Sequence, residues 1–186
     1  MVMHDGRPIA SDVVVGSAAG YGATMAMEYF NSFVYEHVES EAARRREQEL
    51  REAMPTVVMA RIVNDRLGGR LPEQRVDKLG EWAHFAFGVA WGPIYAALRR
   101  RTGIGPLKLG LGLGPFVSLA FDEGLTPAAV FSRPNRAFPW QTHARAFAAH
   151  LAFGLALASL VEGCWQAIPA HPEQRRQRRL LRFIKR

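Results

Sequence analysis

Only one cysteine, Cys164, occurs in 186 residues. An internal disulfide is thereby excluded, and a thiolate metal centre is disfavoured. Neither G-x-S-x-G nor H-E-x-x-H is present, and no side-chain set suggests a nucleophile with its base. The run Gly110-Leu-Gly-Leu-Gly114 fits neither dinucleotide nor P-loop spacing and follows no strand, so close helix packing explains it better. No catalytic activity is assignable, and no cofactor is specified.

Charge is the next scarcity. Val13 to Tyr35 contains one charged residue, Glu28, and Trp82 to Leu98 contains none. Leu109 to Phe121 contains none, and Ala146 to Ile168 contains only Glu162. A soluble amphipathic helix would carry charge on one face every turn, and these windows do not. A membrane-spanning helix needs roughly 20 predominantly apolar residues. The first and last windows reach that length. The second does so when Arg99 to Arg101 snorkel, and the third when it begins near Ile104 and Lys108 snorkels.

Small-xxx-small spacings recur in these windows: Gly16 with Gly20, Gly88 with Gly92, and Gly154 with Ala158. Such spacings let helices approach closely where lipid supplies no hydrophobic drive. Pro93 and Pro115 fall inside windows, which membrane bundles tolerate better than soluble helices do. The expected architecture is all-α, with four transmembrane helices at about 13–35, 82–99, 104–121 and 145–168. Outward loops are expected at 36–81 and 122–144, and a basic cytoplasmic tail at 169–186.

The net charge of +7 is concentrated in that tail, where seven basic residues and one acid follow Ala170. A short appendage and not a basic domain is therefore responsible, and nucleic-acid binding is disfavoured. Four basic residues and no acids connect windows two and three. The positive-inside rule places that connection, the tail and the N-terminus in the cytoplasm. Asp5 and Asp12 precede the first window, so no cleaved signal peptide is expected. In the tail, Arg175, Arg176, Arg178, Arg179 and Arg182 surround apolar residues that can share one helical face. An amphipathic helix on anionic lipid and an irregular topology-fixing tail both suit this pattern.

The chain also writes one phrase twice: AHFAFGVA from Ala83 and AHLAFGLA from Ala149. Gly20 to Glu28 can likewise be laid on Gly114 to Asp122, matching Thr24 with Ser118 and carboxylate with carboxylate. Each half then reads as a helix ending in an acid, a loop, and a helix opening on histidine. Two helical hairpins related by an axis along the membrane normal would give this pattern.

Glu28, His84, Asp122, Glu123, His143 and His150 consequently gather toward the outer end of the bundle. Polar groups in a span are costly and face partners inside the bundle. The leading reading is interhelical hydrogen bonding that pins the hairpins. A metal site from Glu28, His84, Asp122, His143 and His150 is a second reading, although the Glu-x-x-His spacing of di-iron bundles is missing. Proton binding or relay through Glu28, His84, Asp122, Glu123 and His150 is a third. Glu162 lies apart, near the inner end, suited to snorkelling or to an arginine partner.

The stretch His84-Phe-Ala-Phe-Gly88 with Gly92 and Tyr95, the acid–Gly–Pro loop from Asp122 to Pro127, and His150 with Gly154 resemble the YagU-like group of uncharacterised bacterial inner-membrane proteins. The resemblance runs from about Val13 to Gly163. The basic tail and the charged segment before Pro55 lie outside its pattern. It implies a small multi-pass inner-membrane protein without an assigned enzyme activity. The expected partners are the bilayer, anionic lipid for the tail, and further copies or a larger membrane assembly. The expected role is structural or accessory, with a small transporter or proton- or metal-handling protein as the alternative.

Overall fold

The structure is a computed structural model that describes residues 9–51 and 53–168. The tail arginines from Arg175 to Arg182 lie outside the described residues. All regular structure in the described residues is helical. Four long elements form the bundle: α1 (Ile9–His37), α4 (Glu73–Thr102), α5 (Pro106–Val117) with its continuation, and α7 (Trp140–Ala167). Two shorter helices, α2 (Glu41–Leu50) and α3 (Pro55–Arg66), occupy the first expected outward loop, and a three-residue α6 (Thr126–Ala128) sits in the second.

Glycine decides which helices touch. A Cβ on Gly92 would sit 1.7 Å from the Gly16 carbonyl oxygen, and one on Gly20 would sit 2.6 Å from that of Gly88. The α1–α4 backbones can meet there only because no side chain intervenes. The second hairpin repeats the device, with Gly114 against His150 and Gly154 against Gly110. Thr24 and Ser118, partners in the sequence repeat, are both buried at 1% exposure. Thr24 donates to the Gly20 carbonyl at 2.9 Å, which satisfies its hydroxyl inside its own helix.

The hairpins join through α1 and α7, whose Ala19, Ala23, Met27, Ala149, Phe153 and Leu157 form the central core. By a strict twofold axis, α4 and α5 would meet as α1 and α7 do. They do not: α4 and α5 touch sparsely. Their contact is made by aromatic edges, Phe87 on Phe121 and Trp91 on Phe116. Rings hold helix axes farther apart than glycine and alanine do, so the close glycine packing within each hairpin is not matched between α4 and α5.

Two elements depart from the sequence boundaries. Helix α4 begins at Glu73, nine residues before the expected span, and its overhang carries α3. Val57 packs so closely on Gly80 that a Cβ there would lie 2.4 Å from the Val57 Cα. Arg61 grips Asp77 with two hydrogen bonds of 2.8 Å, and the guanidinium holds this carboxyl below the usual aspartate range. Gly68 and Gly69, both at positive φ, end the α3 segment and turn the chain into α4. The apolar α3 residues therefore meet α4 and not the bundle core.

The third expected span is not one uniform helix. After Pro115 the α5 coil widens into a π-helical segment, Ser118–Leu125. This segment carries both Asp122 and Glu123.

Candidate functional site

Three acid–histidine pairs form toward one end of the bundle. The His84 Nε2 donates to Glu28 Oε1 at 2.8 Å, joining α4 to α1. The His150 Nδ1 donates to the Ala146 carbonyl at 2.9 Å and approaches Asp122 Oδ2 at 3.4 Å. The His143 Nδ1 meets Glu123 Oε1 at 2.6 Å, while its Nε2 reaches the Asn135 carbonyl at 3.1 Å. Asn135 in turn donates to Glu123, so His143, Glu123 and the 3-10 turn form a closed clasp. The first two pairs join the residues that the sequence repeat aligns.

The π segment makes the two adjacent acids useful together. Consecutive α-helical side chains diverge by about 100°, whereas the wider π turn brings neighbours nearer one face. Asp122 and Glu123 thus serve histidines seven residues apart on α7. This geometry makes pairs and not a coordination sphere. Among the described residues, no three His, Cys, Asp or Glu side chains converge as a metal ligand set. Of the five metal candidates, Glu28 pairs with His84 and Asp122 with His150, while His143 pairs with Glu123.

A second polar network escaped the sequence reading. Arg145 is buried near the start of α7, where Nη2 contacts both oxygens of Glu47 at 2.8 Å. Its Nη1 lies 2.7 Å from Glu39, its Nε donates to Asn31 at 3.0 Å, and its guanidinium stacks over Tyr35. Thr142 donates to Glu47, and Arg51 pairs with the same carboxylate from the solvent side. Neither Glu39 oxygen has a well-formed hydrogen bond among the described residues, and burial pushes its carboxyl above the usual glutamate range. An open pocket of about 280 Å³ adjoins this network, lined by Asn31, Tyr35, Glu47, Gln48, Arg51 and Arg145.

The network fixes α2. Ser40 caps its N-terminus by accepting from the Ala43 amide at 3.3 Å. Arg44 donates to the carbonyls of Tyr35 and Glu36, satisfying the open C-terminal end of α1. The highly charged 41–50 segment thereby becomes a collar held by one buried cation. A lone arginine five residues before His150 was the only sequence signal for this centre.

The opposite end of the bundle is organised by arginine. Arg99 bonds Glu162 at 2.8 Å, which selects the arginine-partner reading of that acid. Arg100 bonds Asp12 at 2.6 Å and lies over the Trp165 ring. One helix among the described residues, α7, is long and apolar enough by itself to cross a membrane. Large apolar side chains nevertheless line the outside of its neighbours, with Val14, Tyr29, Phe116 and Leu119 all more than half exposed. No family model, curated protein or solved structure matches the chain.

Proposed function

We propose that the chain is a four-span protein of the bacterial inner membrane, with both termini cytoplasmic, that acts as a structural or accessory binding subunit and not as a catalyst. One observation carries this reading: large apolar side chains cover the outside of the bundle as well as fill its core. Val14, Tyr21, Phe116 and Leu119 face outward, while Thr24 and Ser118 are enclosed. Lipid accounts for so apolar an exterior, whereas water favours charged side chains on the outer face of a helix. Its histidines each meet one acid, which fits interhelical pins better than a reactive centre. The resemblance to YagU-like membrane proteins points the same way.

The test is fractionation of expressing cells followed by an alkaline carbonate wash. Retention in the membrane, with cysteine labels at positions 70 and 133 reached only from the periplasm, supports four spans. Release by carbonate would overturn the reading. A proton-handling role is the second reading, favoured by the two acid–histidine pairs, Glu28–His84 at 2.8 Å and Asp122–His150 at 3.4 Å. Reconstituted vesicles distinguish the two. Paired H84A and H150A substitutions lower stability if the residues are pins, whereas a relay loses proton flux with its fold intact.

A further inference from the structure

The pocket beside Arg145 is lined by polar groups that are only partly used. It lies in the corner between α1, which supplies Asn31 and Tyr35, and α2, which supplies Gln48 and ends at Arg51. Buried Glu47 and Arg145 complete the lining. Asn31 accepts from Arg145 through Oδ1, and its amide nitrogen has no hydrogen bond among the described residues. The Tyr35 hydroxyl accepts from Gln48 at 2.8 Å and donates to no group among the described residues. Arg51 spends Nη2 on Glu47, keeps its remaining side-chain donors, and is 42% exposed.

Spare donors therefore outnumber spare acceptors. Glu47 offers little, because Arg145, Arg51 and Thr142 already hold its two oxygens. The exposed Gln48 Oε1 is the remaining side-chain acceptor in the lining. Charge runs the same way, since Arg51 and Arg145 exceed Glu47 by one. Glu39, behind Arg145, is offset by Arg44, which donates to the Tyr35 and Glu36 carbonyls.

We infer that this pocket binds a small monocarboxylate through Arg51, the Asn31 amide nitrogen and the Tyr35 hydroxyl. A monoanion matches the one spare charge, whereas a phosphate dianion would bring excess negative charge against Glu47. A volume of about 280 Å³ falls just under the usual range of small-molecule pockets, which suits a short acid. The pocket belongs to the α1–α2 corner, so it stands whether or not the long helices cross a membrane. A bound acid would tie the α2 collar to α1.

Saturation-transfer NMR on the purified full-length protein, with propionate as the probe, provides the test. Propionate should bind saturably, and propionamide, similar in shape but uncharged, should not. R51Q should weaken binding roughly 10-fold, the lower end for a hydrogen bond to a charged group. Y35F keeps the ring under Arg145 and should weaken binding roughly 5-fold. N31D keeps an oxygen for Arg145 but turns a second carboxylate on the ligand, and should abolish binding. Saturating propionate should also slow amide exchange across Glu41–Leu50 and leave Pro55–Arg66 unchanged.

Equal signals from propionate and propionamide would overturn the site, as would parent-like binding by R51Q. Phosphate displacing propionate at the lower concentration would overturn the carboxylate assignment. Arg51 is exposed, so R51Q keeps the test decisive even where N31D loses its fold. Detergent-extracted and carbonate-released protein serve equally, which separates this result from the fate of the membrane reading.

Discussion

Replacing Arg145 by methionine removes one charge from a site where little water can substitute for it. Arg145, Glu39 and Glu47 each have side chains 5% exposed. The variant leaves two carboxylates enclosed, with Arg51 the remaining cation on Glu47. Breaking a buried ion pair by deleting one partner costs about 3–5 kcal/mol. Glu39 already favours its protonated form more than an ordinary glutamate does, because of burial. It can shed charge cheaply, so the lower end, about 3 kcal/mol, is expected. Unfolding in mixed detergent, followed by circular dichroism, measures this loss. Chymotrypsin cleavage between α1 and α3 should rise in parallel, since α2 loses its anchor. E39Q/E47Q/R145M should recover much of the loss, because no unpaired charge remains. A single R145M variant within about 0.5 kcal/mol of the parent would refute the reasoning, placing it among ordinary surface substitutions.

Other outcomes follow from the same geometry. The raised Glu39 pKa means that the folded protein holds a proton the unfolded chain releases, from the ordinary glutamate range upward. Its contribution to stability therefore falls as pH rises through that window, and E39Q should flatten this part of a stability–pH curve. G92A forces a methyl group onto the Gly16 carbonyl and should cost at least about 1–3 kcal/mol in detergent unfolding, whereas G112A, in open space, should be neutral or stabilising. R61A should release α3 from α4, seen as faster amide exchange across Pro55–Arg66 with α1 and α7 unchanged. The lowered Asp77 pKa adds a sign: that contact is present above the ordinary aspartate range and weakens only on acidification through the lowered value.

Periodicity and scarcity of charge made the long helices legible, and the repeated octet made their pairing legible. His84 meets Glu28 and His150 meets Asp122 because equal positions in equal hairpins face equal partners. The α4 overhang was hidden because Glu73 to Glu81 is charged and reads like a loop, although α3 covers its small and apolar positions. The π segment was hidden because no residue pattern separates a widened turn from an α turn. Arg145 was hidden for another reason: its partners lie 98 and 106 residues away, on segments whose abundant charge looks solvent-exposed. The unequal contacts between hairpins depend on ring against glycine volume, which sequence similarity does not weigh.

The length of α4 has a mechanical consequence. Thirty residues make an uninterrupted rod of about 45 Å, some of it above the core of the bundle. Helix α3 is riveted to the upper end, while Gly88, Gly92 and His84 grip the rod lower down. No proline or helix break lies between Asp77 and Gly88; Pro93 sits in the seam itself, its nitrogen beside Gly16. Force applied to α3 would therefore tilt the rod about the glycine seam and strain the His84–Glu28 contact before any part of the core moved.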